Sequence, residues 1–304
     1  AIGMRALYSA SGADNNVAIG FAAMSGASDS TGDSNVAIGS YAGNVLTSAA
    51  ENVMMGVWAG SKLTGGHYNA LLGYAAGGRL TTSTKNVAVG HGALYGHATQ
   101  DTTSEKNVAI GMNAMYVASG ANYNVAIGEG ALSGAAAGMT GDKNVAIGRQ
   151  ALHNATSATN VVAIGYLAGY DQTTDDEGSI YIGSAAGQND YGTNRNIFIG
   201  FDAGNNNTTG ANNLAIGHKA LEDMVDGIHN VMIGREAGKN LTKNQNVAIG
   251  TFAMKSAVAQ YYNTAVGDGA MNNSTGGDRN TAIGYFSMGN DSAGTGGGHN
   301  AALG

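Results

Sequence analysis

Apolar and polar positions follow one short pattern along the whole chain. A block reading Asn-Val-Ala-Ile-Gly, or a close variant, occurs 18 times, closing on glycines that run from Gly3 to Gly304. Eleven of the 17 intervals are 17 residues long, and the others range from 16 to 21. A fixed period of this size marks one structural unit stacked on itself. An apolar run this short, bounded by Asn and Gly, predicts a strand; the Ser, Thr, Asn, Asp and Gly between blocks predict turns. The pattern predicts an all-β parallel solenoid of about 17 coils, continuous over residues 1–304 as a single repeat domain.

Numbering each unit from its closing glycine as zero sorts the positions by role. Position -1 is always a large aliphatic, and -3 is mostly Val. The two share one face of a strand. Position -2 is Ala in 13 of 18 units, and Met54, Leu71, Tyr181, Phe198 or Met232 in the rest. A strand apolar on both faces is expected to be buried on both. The expectation is that Val and Ile fill the coil, and that the Ala row meets an identical chain along a shared axis. Position -4 is Asn in 15 of 17 units, with Val161 and Ser179 as exceptions and Asn160 one place early. Stacked coils should align Asn35, Asn52, Asn86, Asn107, Asn144, Asn196, Asn246 and Asn280 in a structural amide ladder. The closing glycine predicts a positive φ or a tight corner. Position +3 is Ala except at Ser287, and +4 is only Gly, Leu or Met. A short second strand is expected around +1 to +5. Insertions, as at 25–34, 95–106 and 289–299, fall in the outer loop of the unit.

Composition narrows the function. Glycine is 50 of 304, with no proline and no cysteine, so the chain is neither collagen-like nor held by disulfides. Charged residues are 12% and the net charge is -7, which offers no basic face for nucleic acid. No apolar run approaches the roughly 18 residues of a membrane helix, so no membrane insertion is expected of this segment. Both ends cut the repeat, and the chain is expected to be a segment of a longer fibre protein.

Catalytic, cofactor and metal sites are not expected. The seven histidines lack ligand spacing. Asp171, Asp175, Asp176 and Glu177 form an acidic loop without regular calcium-ligand spacing, read as solvated. Gly90-His91-Gly92 and Gly128-Glu129-Gly130 miss the spacing of a nucleotide loop. Aromatic residues gather at +1 and +2, beside the charged positions. Tyr41, Trp58, Tyr74, Tyr166, Phe201, Tyr285 and Phe286 are the candidate surface recognition residues; the competing reading is that they cover seams between coils or chains.

Blocks such as Asn35-Val36-Ala37-Ile38-Gly39, Asn107-Val108-Ala109-Ile110-Gly111 and Asn280-Thr281-Ala282-Ile283-Gly284 resemble repeats of two families. One is the YadA-like head of trimeric autotransporter adhesins; the other is the Asn-Thr-Ala-Ile-Gly repeats of phage tail fibres. The likeness covers essentially the whole chain. It implies a left-handed parallel β-roll with three chains around one axis, so the partner is a parallel homotrimer of the chain itself. The autotransporter heads run nearer 14 residues per coil, commonly with Ser before the Val. The 17-residue period and the Asn are closer to the phage type.

The leading expectation is a non-enzymatic structural and adhesive fibre, extracellular, on a virion tail or a bacterial surface. A host-surface glycan or protein receptor is its candidate second partner. The alternatives are an autotransporter adhesin head and a tailspike-like enzyme that degrades polysaccharide. The last needs paired carboxylates, for which Asp202 and Glu236 are the best placed, two coils apart. An ice-binding solenoid needs a regular outward row of one residue type, and +1 and +2 are too mixed for it.

Overall fold

Each block from Val17 onward forms one three-residue strand and then turns through a series of tight corners, while Ile2 of the first block makes a single parallel bridge to Ile19. The computed structural model describes residues 1–8, 12, 14–26, 31–97, 103–134, 138–173, 178–192, 195–258, 260–274, 277–289 and 298–304. They fold as two units, 1–158 and 159–304. The first holds β1 (Val17–Ile19), β2 (Val36–Ile38), β3 (Val53–Met55), β4 (Ala70–Leu72), β5 (Val87–Val89), β6 (Val108–Ile110), β7 (Val125–Ile127) and β8 (Val145–Ile147). The second holds β9 (Val162–Ile164), β10 (Ile180–Ile182), β11 (Ile197–Ile199), β12 (Leu214–Ile216), β13 (Val231–Ile233), β14 (Val247–Ile249), β15 (Thr264–Val266), β16 (Thr281–Ile283) and β17 (Ala301–Leu303). Within each unit consecutive strands pair parallel and in register, so Ala109 meets Ala126 and Ala215 meets Met232. Each unit is therefore a parallel β-solenoid. At ~4.8 Å per step the eight strands of the first span about 34 Å and the nine of the second about 38 Å.

The closing glycines stack at one corner. Gly39 has φ 133°, and a Cβ there would lie 2.6 Å from the carbonyl oxygen of Gly56 in the next coil. Conformation and space both exclude a side chain, and the positive φ repeats at the closing glycines from Gly3 to Gly284.

The segment from +1 to +5 differs from expectation. It is a run of turns, with φ positive at +2 and +4, as at Tyr41 (60°), Trp58 (64°), Leu94 (48°) and Met115 (51°). Position -5 is left-handed too, as at Lys85 (59°) and Tyr123 (59°). A coil of this length must reverse direction sharply, and extended backbone cannot. Alternating left- and right-handed residues fold the chain tightly while keeping N–H groups aimed along the stack. The N–H of Tyr41 donates to the Phe21 carbonyl at 2.9 Å, and that of Gly60 to the Ala76 carbonyl at 3.0 Å. Left-handed L-residues cost roughly 1–2 kcal/mol each, offset here by continuous inter-coil hydrogen bonds.

The strand's two faces are also the reverse of the expected arrangement. The -2 row lies inside the coil: Ala18, Ala109, Ala126 and Ala215 are fully buried, as are Met54, Leu71, Tyr181, Phe198 and Met232. The Val and Ile rows at -3 and -1 are half-buried or exposed, with Val53, Ile110, Ile127, Ile182 and Ile249 all more than a third exposed. The reason is volume. The interior also receives the +3 Ala and the +4 Leu or Met, which are buried, leaving room for a methyl group at -2. All five large -2 residues fall in units whose +4 is glycine. A Cβ on Gly238 would come within 3.0 Å of Met232 Cγ, and one on Gly60 equally close to Met54 Cγ.

The amide ladder forms as expected and is internal. Oδ1 of Asn52 accepts both N–H and Nδ2 of Asn69 at 2.9 Å, while its own Nδ2 donates to Asn35 Oδ1 at 3.0 Å and to the Gly66 carbonyl at 2.8 Å. Asn35, Asn86, Asn107, Asn144, Asn196, Asn246 and Asn280 repeat the placement, 0–2% exposed. In the second unit the row passes through buried Val161 and Ser179; Ser179 Oγ takes the ladder's acceptor role toward the Asn196 N–H, at 2.9 Å.

Candidate functional site

The +1, +2 and +5 positions carry the chemistry because the corners turn them outward. Stacking at one coil per step lays like positions over one another, so side chains there form columns. In the first unit the column is aromatic. Phe21 meets Tyr41 edge-on at 5.3 Å, and Tyr41 stacks on Trp58 at 4.4 Å and 12°. Tyr74 stacks on His91 at 4.9 Å, and Tyr95 on Tyr116 at 5.1 Å and 8°. These separations are close to one coil step.

A groove of about 870 Å³ opens among these columns. Its origin is a break in the +2 row. Trp58 and Asn113 both stand at +2, three coils apart, about 14 Å at the usual strand spacing. Between them +2 is only Ala75 and Gly92, and +5 of the Ala75 coil is Gly78; all three line the groove. Trp58, with one face on Tyr41, turns its other face along this gap and is 41% exposed. Tyr74 and His91 line one part of the groove and Tyr95 and Tyr116 another. Arg79 lies over the Tyr95 ring, its Cζ 5.3 Å from the centroid. Lys62 also lines the groove.

The same columns in the second unit are closed by ion pairs. Lys219 Nζ lies 2.6 Å from Glu222 and 3.5 Å from Asp202; Lys239 lies 3.1 Å from Glu222; Lys255 lies 2.7 Å from Glu236. Burial pushes the Glu222 carboxyl up, but hydrogen bonds from Lys219 and Lys239 outweigh it and hold the group below the ordinary carboxylate value. Glu236 is lowered chiefly by its hydrogen bond from Lys255. Asp202 and Glu236, the candidate hydrolytic pair, each belong to a lysine contact. Asp171 accepts a hydrogen bond from the Tyr191 hydroxyl at 3.3 Å and raises that phenol's pKa, chiefly by its charge. The rest of the acidic loop, Asp175, Asp176 and Glu177, lies outside the described residues, as do 27–30, 98–102 and 290–297 of the insertions at 25–34, 95–106 and 289–299.

The expected recognition residues fall into separate groups. Tyr41 and Trp58 stack together, and Tyr74 joins Trp58 at the groove. Tyr166 is exposed in the second unit, Phe201 stacks on His218 at 5.4 Å, and Tyr285 meets Phe286 edge-on at 4.8 Å. Tyr95, Tyr116 and Arg79 escape a reading confined to +1 and +2. Their signal is present in the sequence: two tyrosines at +5 of successive coils, beside two successive small residues at +2.

Fold and surface together define a parallel β-solenoid repeat protein, with a buried amide ladder and an outward display of aromatic and charged columns. No family model matches the chain, nor does any curated protein or solved structure.

Proposed function

We propose that this chain is a non-enzymatic shaft segment of a homotrimeric attachment fibre, working outside the cell as part of a bacteriophage tail fibre or a related bacterial surface appendage. The carrying observation is the exposed aliphatic face. In β1–β8 every -3 and -1 residue but Ala70 is a large aliphatic, and these rows lie on the outer side of the strands. A flat apolar face of this extent marks an association surface. Completing the burial of a partly exposed Val or Ile contributes about 0.5–1 kcal/mol, a fraction of the full transfer value. Repeated over many coils, that exceeds the association penalty. An identical chain fits because its face has the same coil spacing. The number three follows from the resemblance to trimeric β-rolls. The lysine contacts of Asp202 and Glu236 weigh against the hydrolytic alternative.

Sedimentation velocity and native mass spectrometry of the full chain test the reading. A trimer is expected at micromolar concentration. Ile110→Lys with Ile127→Lys should shift it toward smaller species while the β circular-dichroism signal persists. A wild-type chain that stays monomeric refutes the proposal.

A further inference from the structure

We infer that a polar seam seals the aliphatic face of the first unit between neighbouring protomers: Glu129 of one chain accepts a hydrogen bond from the Tyr123 hydroxyl of the next, with that chain's Lys106 and Lys143 beside it. The inference rests on the homo-oligomeric reading above and adds which edges of the face meet and which way the second chain runs. The face is wider than its strands. In the β7 coil Tyr123 is exposed, Asn124 buried, Val125 half-buried, Ala126 buried, and Ile127 and Glu129 exposed. The -5 and +1 columns therefore border the Val and Ile rows on either side, a polar rim around an apolar centre. Identical chains running parallel around one axis set the -5 edge of each against the +1 edge of the next, and a closed ring leaves no axial offset between them. Residues of the same coil then meet at one level across the seam, Glu129 with Tyr123 and Met112 with Lys106. The two columns are unlike in charge. From β3 to β8 the -5 column reads Glu51, Tyr68, Lys85, Lys106, Tyr123 and Lys143, while Glu129 is the one acid of the +1 column. That acid falls at the level between two lysines, each about 4.8 Å away along the stack. Lys106 also prepares the contact. Its Nζ donates to the Tyr123 hydroxyl oxygen at 2.6 Å and lies 4.5 Å from the ring centroid, so the phenol's own O–H is the donor left for a carboxylate. Glu129 meets Arg149 of its own chain at 3.6 Å, with both side chains more than half exposed, which keeps a side of the carboxylate open to that donor. The like charges of Arg149 and Lys143 meet one coil further on, and Glu129 stands beside both. An antiparallel copy would instead lay the -5 column on itself and bring its lysines together, a repulsive arrangement.

The chain has no cysteine, so introduced pairs read the seam directly. Tyr123→Cys with Glu129→Cys in the full chain should give, after mild oxidation, disulfide-linked oligomers of the size that sedimentation finds. Within one chain the two positions lie at opposite edges of the face, separated by extended backbone and beyond the ~7 Å reach of a disulfide. Lys106→Cys with Met112→Cys is the matching pair one coil earlier and should behave alike; it carries the test if the first pair disturbs assembly. Lys85→Cys with Glu129→Cys sets the levels two coils apart, about 10 Å, and should stay unlinked. Linkage by the offset pair, or by Tyr123→Cys alone, to the same extent as by the level pairs would overturn the seam. So would level-pair variants that sediment as the wild type does and yet remain unlinked. That result removes the seam and leaves the fibre; a wild-type chain that sediments as a monomer removes both.

Discussion

Truncating one rung of the amide ladder isolates what holds the coils together. Asn52 is fully buried, and its side chain serves three coils. Asn52→Ala leaves two groups without any partner; the Ala50 carbonyl, which also accepts from Asn52 Nδ2 at 3.0 Å, keeps the Tyr68 N–H at 3.3 Å. The Asn69 N–H loses its acceptor, Asn52 Oδ1 at 2.9 Å, and the Gly66 carbonyl loses its donor, Nδ2 at 2.8 Å. The Asn69 amide keeps its bond to the Ser83 carbonyl at 2.8 Å, and Asn35 Oδ1 keeps the Asn52 N–H at 3.0 Å, so neither adds to the loss. A buried polar group left unpaired costs about 1–3 kcal/mol, giving roughly 2–6 kcal/mol for the pair. Asn52→Ser is the control. Ser179 occupies the same position naturally and accepts the Asn196 N–H at 2.9 Å. The serine should rescue the Asn69 N–H, leaving only the Gly66 carbonyl, about 1–3 kcal/mol. Amide hydrogen exchange on the full chain reads both. Protection should fall in the coils from Asn35 to Asn86, about twice as far in free energy for Ala as for Ser. Because stacked repeats couple chiefly to their neighbours, β11–β16 should not change. An alanine variant no worse than the serine variant would refute the reasoning, as would loss spread evenly over the chain.

Two further outcomes follow from the core and the ion pairs. Met232→Ala should destabilise its coil by about 2–5 kcal/mol through the cavity it leaves, and Gly238→Leu should do so by overpacking against Met232. The double variant recreates the Ala-and-Leu interior of the preceding coil, Ala215 with Leu221, so denaturation should show at least ~1 kcal/mol of favourable coupling; additive losses would contradict the volume argument. Glu222 and Glu236 titrate below their ordinary value in the folded chain. Their contribution should be complete above the unfolded carboxylate pKa of about 4.3 and vanish as pH falls through the lower folded values. Acid unfolding followed by hydrogen exchange should show β12–β14 losing protection below that pH in the wild type. A Glu222→Gln, Glu236→Gln chain should start weaker at pH 7 and change less; parallel curves for the two chains would remove the ion pairs from the account.

Much of the architecture was legible because the repeat tests each position many times over. The closing glycine and the -4 Asn are nearly invariant, and each has one physical use in a stack: a corner with no room for Cβ, and an amide able to bond upward and downward at once. The second strand at +1 to +5 was not legible from polarity, since Tyr41 and Trp58 are residues that strands favour. They adopt left-handed turns because the coil must close. Nor did apolarity reveal the site. Trp58 and Tyr74 stood out as aromatic, but Arg79, Tyr95 and Tyr116 join them only through the spacing of coils, and the groove depends on what Ala75 and Gly92 lack.

The sequence by itself determined the period, the parallel register, the glycine corner and the Asn ladder, because each follows from one residue type recurring at one spacing. Which face of the strand points inward was decided only in three dimensions. Val, Ile and Ala are all apolar, so hydrophobicity alone does not choose between the faces. The cross-section of a coil already holding Ala at +3 and Leu or Met at +4 admits a methyl group from the strand and excludes a branched side chain. That steric limit turned the Val and Ile rows outward and left them as an exposed aliphatic face.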